Sequence, residues 1–108
     1  MALHLPEPLS KYFAAASAHD SDALVACFAA DATVHDEGKV MQGLDAIRAW
    51  YEETARKYQT TFEPTNLKRA GDRTIVTAIV AGTFAGSPIE LDFNFKIANT
   101  RIETLEIG

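Results

Sequence analysis

The sequence lacks the features that mark several large classes of protein. Its single cysteine, Cys27, cannot form a disulfide within the chain, and its apolar neighbours indicate a buried, unreactive thiol. No apolar stretch approaches the ~18 residues of a membrane-spanning helix. The N-terminal letters MALHLPEPLS lack a basic region followed by an apolar run, so no signal peptide is predicted. Together these absences predict a cytoplasmic protein with no membrane partner.

Basic residues are also scarce. Ten lysines and arginines stand against fifteen aspartates and glutamates, which gives a net charge of −5. No cluster of Lys or Arg reverses that balance locally. Nucleic acid and anionic membrane surfaces are therefore not predicted as partners.

Several chemical signatures are absent as well. No two of the three histidines (His4, His19 and His35) have metal-ligand spacing, so no structural zinc is predicted. The chain has no Gly-rich phosphate loop, no nucleotide motif and no Ser–His–Asp set. We therefore expect no cofactor.

What remains is typical of a globular protein: 47% of the residues are apolar and 23% are charged. The length of 108 residues predicts one domain, spanning residues 1–108, with one core. Helical patterns come first along the chain and strand patterns follow. That order predicts an α+β fold rather than alternating βαβ units.

Three helices are expected before the strands. The first follows Pro6 and Pro8 and ends near Ala18, with an apolar stripe at Leu9, Tyr12, Phe13 and Ala16. A second, short helix follows the N-cap candidates of residues 19–22. The third runs from Leu44 to about Tyr58, with an inward stripe at Leu44, Ile47, Tyr51, Thr54 and Tyr58.

Six strands are predicted around these helices. The alternating segment ADATVHD turns at Glu37–Gly38 into KVM, and the remaining strands follow the third helix. Pro64 interrupts the first of these, which indicates an edge strand or a bulge. Gly86–Ser87 has the composition of a two-residue hairpin loop.

That two-residue loop fixes a register in which Ala85 faces Pro88. The pairs that follow are Phe84–Ile89, Gly82–Leu91, Val80–Phe93, Ala78–Phe95 and Val76–Ile97, all on one face. The opposite face is half polar. We therefore expect an antiparallel sheet whose apolar face is covered by the helices.

Two segments resemble a known family. KYFAAASAHDSDALVACFAADATVHD and GLDAIRAWY, followed by four strands, are similar to the nuclear transport factor 2-like superfamily, in its SnoaL-like polyketide cyclase and ketosteroid isomerase branches. The resemblance implies a cone-shaped fold, in which three N-terminal helices pack on a curved antiparallel sheet and enclose a pocket. It further implies a homodimer through the outer sheet face and a small apolar or carbonyl-containing ligand.

The resemblance also implies roles for particular residues. It places the catalytic base on Asp36 and the donor to the oxyanion on Tyr12. Tyr51 matches a tyrosine that bonds the donor tyrosine in some isomerases, and Phe28 replaces a third tyrosine. In ketosteroid isomerase, a well-studied enzyme, a second and protonated acid on a late strand also donates a hydrogen bond to the oxyanion.

That second acid is not expected here. The matching position carries Phe93, and Asp92, one residue away, lies on the opposite sheet face. The loss of one such donor typically lowers the rate about 10²–10³-fold. The predicted pocket walls are formed by apolar and aromatic residues: Phe13, Phe28, Val34, Trp50, Tyr51, Phe62, Val80, Phe84, Phe93 and Phe95.

Several alternatives remain open from the sequence. Asp36 is either a base in an apolar pocket, facing inward with Val34, or a residue that caps the turn. Tyr12 is either the donor or a core tyrosine with a satisfied hydroxyl. The main functional hypothesis is proton abstraction next to a carbonyl, as in isomerases and aldol cyclases. One alternative is a non-catalytic ligand-binding or dimerisation domain, and another is a dehydratase that uses His35 with Asp36.

Overall fold

A computed structural model of the protein describes residues 4–108. The first three residues, part of the N-terminal segment interpreted above, lie outside the described residues. The elements in chain order are α1 (Leu9–Ala18), α2 (Ser21–Val25), β1 (Phe28–Asp36), β2 (Lys39–Gln42), α3 (Leu44–Tyr58), β3 (Thr61–Ala70), β4 (Arg73–Ala81), β5 (Ile89–Ala98) and β6 (Arg101–Ile107). No helix within residues 4–108 is both long and apolar enough to cross a bilayer.

The helices begin and end where the sequence predicts. α1 follows Pro8 and ends at Ala18, and its C-cap His19 has a left-handed backbone (φ 56°). Asp20 caps α2, since its carboxylate accepts a hydrogen bond of 3.1 Å from the Ala23 amide. α3 ends at Tyr58, and its C-cap Gln59 is again in the left-handed region. The predicted stripe of α1 is buried along its whole length.

The six strands form one sheet in the order β2–β1–β6–β5–β4–β3. The α+β fold class is confirmed, with the helices packed on a curved, open sheet. One pair departs from the antiparallel expectation, because β1 and β6 run parallel. This parallel pair joins the β1–β2 hairpin to the edge of the meander formed by β3, β4, β5 and β6.

The predicted register of the β4–β5 hairpin is wrong. Val80 pairs with Ile89 and Val76 pairs with Phe93, a shift of four residues from the predicted pairs. The chain leaves the sheet after Ala81 because the Thr83 amide donates to the Tyr58 carbonyl at 2.7 Å. Residues 82–88 therefore form a longer loop than the composition of Gly86–Ser87 suggests.

The shift of four residues leaves the two faces of the sheet unchanged. Side chains alternate with a period of two, so an even shift preserves the face of each residue. Val76, Ala78, Val80, Phe93 and Phe95 are all buried against the helices, as predicted.

Two local predictions in the sheet are confirmed. β3 is an edge strand, and its pairing with β4 shifts between Pro64 and Asn66, as expected for a bulge at a proline. Glu37 and Gly38 form a two-residue turn between Asp36 and Lys39, with positive φ at both positions. This turn places Asp36 at the last position of β1.

Candidate functional site

A cavity of about 530 Å³ opens between α1, α3 and the inner face of the sheet. This volume is in the range of small-molecule sites. Its walls are mainly apolar, and the polar side chains among them include Tyr12, Asp36, Glu37 and Thr60. The site therefore suits a largely apolar ligand with few polar atoms.

Asp36 lies at one wall of this cavity. Val34, two residues earlier on β1, is fully buried, and the alternation of the strand directs Asp36 to the same side. The Trp50 indole Nε1–H on α3 donates a hydrogen bond of 3.0 Å to Asp36 Oδ2. His35 is exposed, and the alternation places it on the outer face of the sheet. The structure therefore does not bring His35 and Asp36 together, as the dehydratase hypothesis requires.

Burial raises the pKa of Asp36 above its ordinary value of 3.8. The Trp50 hydrogen bond opposes this effect, because it stabilises the ionised form. The neighbouring Glu37 carboxylate raises the pKa further, and Lys39 lowers it. A carboxylate with a raised pKa in an apolar cavity is a candidate for general-base chemistry.

Tyr12 reaches the same cavity from α1. Its ring packs edge-on against Phe13, Phe28 and Phe95, with centroids 5.1, 5.9 and 5.5 Å away. Within residues 4–108, no hydrogen bond is formed by its hydroxyl. Burial, and after it the charge of Asp36, raises the pKa of Tyr12 well above its usual range. The hydroxyl therefore stays protonated and can donate a hydrogen bond to a ligand.

Tyr51 does not bond Tyr12, contrary to what the resemblance implies. Its hydroxyl donates to the Ala16 carbonyl at 2.6 Å and so fastens α3 to α1. Burial, with a smaller contribution from Asp20, raises the pKa of Tyr51 to about 12. Phe28 lies in the core, so no tyrosine network extends behind Tyr12.

The late-strand position that carries an acid in ketosteroid isomerases is filled by Phe93. Phe93 is buried and lines the cavity. Asp92 is exposed and pairs across the sheet with Thr77, whose hydroxyl donates to its carboxylate at 2.7 Å. This carboxylate therefore lies on the face away from the cavity.

The predicted pocket residues divide into two groups. Those that line the cavity with Tyr12 and Asp36 are Trp50, Tyr51, Phe62, Val80, Phe84 and Phe93. Phe84 does so from the loop after β4 and not from a strand. Those that do not line it are Phe13, Phe28, Val34 and Phe95, which pack in the core behind the walls. Their prediction as pocket residues is corrected, because Phe13, Phe28 and Phe95 pack around the Tyr12 ring and Val34 is fully buried.

Sequence reasoning missed a further set of lining residues: Glu37, Thr54, Tyr58, Thr60, Ala85, Ile89, Leu91, Ile107 and Gly108. Some carried a usable signal. Thr54 and Tyr58 lie on the same α3 stripe as Tyr51, and Leu91 shares a sheet face with Phe93. Thr60 carried none, since it lies between a helix and a strand.

The described residues do not form a metal-binding cluster. Over residues 4–108, no three side chains among His, Cys, Asp and Glu are grouped so that they could hold a metal ion. Cys27, the one thiol, is buried, and burial raises its pKa.

Comparisons with known proteins agree on the fold. A solved structure from Sinorhizobium meliloti, provisionally described as a polyketide cyclase, is 41% identical over 96% of this chain and 95% of that one, with a TM-score of 0.92. A Catenulispora acidiphila protein with a ketosteroid isomerase-like fold, solved with trimethylamine, is 25% identical over 97% and 86% of the two chains, with a TM-score of 0.85. A cystatin-fold protein from Novosphingobium aromaticivorans is 19% identical over 93% of each chain, with a TM-score of 0.76, and supports the fold alone.

None of the curated proteins with which the chain was compared matches it. The family model of the SnoaL-like domain matches residues 9–103, which is most of the chain. That match includes α1, Asp36 and the whole of β3, β4 and β5. The chain therefore belongs to the SnoaL-like domain family.

Proposed function

We propose that the protein is a cofactor-independent enzyme of the ketosteroid isomerase and polyketide cyclase type. Asp36 abstracts a proton next to a carbonyl group, and the Tyr12 hydroxyl stabilises the resulting enolate. The observation that supports this most directly is that both residues line the same apolar cavity. Asp36 also raises the pKa of Tyr12 through its charge, so the two groups interact electrostatically.

The environment of Asp36 suits a base. Its carboxylate is partly removed from water, which raises its pKa, yet the Trp50 N–H holds one of its oxygens at a fixed position. A positioned base of this kind contributes typically about 10²–10⁴-fold to the rate. Asp36 needs no partner residue to take up a proton, because the same carboxyl group can return it to another carbon of the enolate.

The environment of Tyr12 suits a donor. Its side chain is 1% exposed, and its ring is held by aromatic contacts on several sides. A hydroxyl without a partner in the described part of the chain remains available for a ligand oxygen. A preorganised donor in an apolar site stabilises developing negative charge more strongly than water does.

The substrate class follows from the walls. An apolar ketone of moderate size fills a cavity of about 530 Å³ and presents its carbonyl oxygen to Tyr12. With Phe93 in place of a second acid, the enolate receives one side-chain donor fewer than in ketosteroid isomerases. Cyclase chemistry gains support from the 41% identical relative that is provisionally described as a polyketide cyclase.

The direct test is deuterium exchange at the carbon next to the carbonyl, followed by NMR for a panel of cyclic ketones in D₂O. We expect the wild type to accelerate exchange and Asp36→Asn to reduce it by about 10²–10⁴-fold. Asp92→Asn is the matched control, because it makes the same chemical change on the outer face. Exchange that is unchanged in Asp36→Asn would remove Asp36 from the mechanism.

A second candidate function is a non-catalytic ligand-binding domain. Phe93 in the acid position favours it, because the cavity is present while part of the donor set is missing. The relative solved with trimethylamine offers a precedent for a small molecule held by a protein of this fold. Ketone binding by calorimetry with no exchange in the wild type would support this candidate over the enzyme.

We also propose that two copies associate through the outer sheet face. Ile75 and Ile79 lie partly exposed on that face, beside the polar residues Thr77 and Asn94. Mixed surfaces of this kind are common at protein interfaces. Sedimentation equilibrium of the wild type and of Ile79→Lys tests the proposal, and a monomeric wild type contradicts it.

A further inference from the structure

Phe84 belongs to the loop between β4 and β5, yet it forms part of the cavity wall. Its side chain is partly buried and packs against the hydrophobic core. Ile89, the lining residue at the start of β5, is 43% exposed. The deep end of the cavity is formed by the buried residues Tyr12 and Phe93. The cavity therefore opens to solvent beside the loop that carries Phe84.

The Phe84 ring packs against the Tyr58 ring near this opening. The two rings meet edge-on, with centroids 5.7 Å apart and an interplanar angle of 82°. Tyr58 is the last residue of α3, and it lines the cavity as well. An edge-on aromatic pair is stabilised by more than the apolar area that it buries. The pair therefore joins α3 to the β4–β5 loop and forms a continuous aromatic part of the wall.

The backbone on either side of Phe84 is also fixed. The Thr83 amide donates to the Tyr58 carbonyl at 2.7 Å, and the Thr83 hydroxyl donates to the same carbonyl at 3.2 Å. Gly82 lies so close to this carbonyl that an added Cβ would overlap with its oxygen. Within the loop, Ser87 Oγ accepts from the Gly82 amide at 2.9 Å. The loop therefore cannot withdraw from the cavity unless these hydrogen bonds break.

We propose that Phe84, fixed against Tyr58, is a specificity-determining residue that limits the size of the ligand. This inference rests on the proposed function, in which the cavity holds an apolar ketone. A small ketone gains apolar contact with the Phe84 ring, whereas a larger ketone overlaps with it. The ligand class is thereby narrowed to compact ketones that fit between Tyr12 at the deep end and Phe84 at the opening.

The test measures the binding of two apolar ketones by calorimetry. The probes are α-tetralone, which has two fused rings, and anthrone, which has three. Phe84→Ala removes the ring from the wall, so we expect it to bind α-tetralone about fivefold more weakly than the wild type and anthrone about tenfold more tightly. Phe84→Leu removes less of the side chain, and its affinities should lie between those of the wild type and Phe84→Ala.

Opposite changes for the two ketones separate size selection from damage to the fold, because a loosened cavity weakens the binding of both. Leu67→Ala is the matched control, since Leu67 is also partly buried against the core but does not line the cavity. Its affinities for both ketones should equal those of the wild type. Any pattern in Phe84→Ala other than the opposite changes overturns the proposal, as does the same pattern in Leu67→Ala. A wild type that does not bind α-tetralone overturns it too.

Failure of the inference and failure of the proposed function remain distinguishable. Ketone exchange that depends on Asp36, without the opposite changes in Phe84→Ala, refutes the inference alone. Opposite changes in binding without any exchange refute the enzyme and leave Phe84 as a determinant of ligand size in a binding domain.

Discussion

Asp36→Asn should make the protein more stable while it removes the proposed activity. Burial raises the pKa of Asp36, so the ionised carboxylate is less favourable in the folded state than in the unfolded chain. Asparagine removes the charge and still offers an oxygen to the Trp50 N–H, which lies 3.0 Å from the carboxylate. The substitution therefore removes the destabilising partly buried charge without breaking the hydrogen bond from Trp50.

The sign of the pH dependence follows from linkage. Below the unfolded pKa, Asp36 is protonated in both states and the wild type has its full stability from this group. As pH rises through the raised pKa of the folded state, that stability is lost. The advantage of Asp36→Asn should therefore be near zero at about pH 3 and reach its full size near neutral pH.

The size of the effect is limited by the partial exposure of Asp36. A half-buried carboxylate keeps part of its hydration, so we expect a gain of about 0.5–1 kcal/mol near neutral pH. In a domain of this size the gain corresponds to a rise in Tm of about 2–6 °C.

Urea denaturation of the wild type and of Asp36→Asn at several pH values measures the effect, and Asp92→Asn serves as the control. The Asp92 carboxylate lies on the outer face and outside the cavity. The reasoning is refuted if Asp36→Asn is less stable than the wild type near neutral pH. It is refuted equally if its advantage does not grow between acid and neutral pH.

Three further predictions concern the surroundings of the site. Trp50→Phe should raise the pKa of Asp36 further, since the N–H that stabilises the carboxylate is lost, and the exchange rate should reach half its maximum at a higher pH. Glu37→Gln should lower the pKa of Asp36, because the Glu37 charge raises it. Shifts of the same sign in the pH profiles of Trp50→Phe and Glu37→Gln would contradict this account. Gly82→Ala should lower the free energy of unfolding by about 1–3 kcal/mol in urea denaturation, because the added Cβ meets the Tyr58 carbonyl oxygen; an unchanged midpoint would show that the loop shifts freely.

The fold was largely predictable because its signals are local. The stripe of α1, the positive-φ turn at Glu37–Gly38 and the proline in β3 each depend on a few neighbouring residues. The register of the β4–β5 hairpin was not predictable, because it depends on a bond between Thr83 and Tyr58 that the loop composition does not reveal. The faces were nevertheless correct, since an even shift preserves them.

The site was predictable where alternation fixes a direction. Asp36 faces the cavity because Val34 faces the core, and Phe93 and Asp92 take opposite faces for the same reason. It was not predictable which side chains of the inner face line the cavity and which lie behind them. Phe13 and Phe95 share the inner face with lining residues, but only the packing decides which aromatic side chain stands in front.

The parallel pairing of β1 with β6 has a consequence for how the protein unfolds. It joins segments from opposite halves of the chain, and such long-range pairings form slowly. The cavity spans this junction, with Tyr12 and Asp36 contributed from one side and Phe62 and Phe93 from the other. A bound ligand should therefore slow unfolding and have little effect on the folding rate, because it stabilises contacts that form after the rate-limiting step of folding.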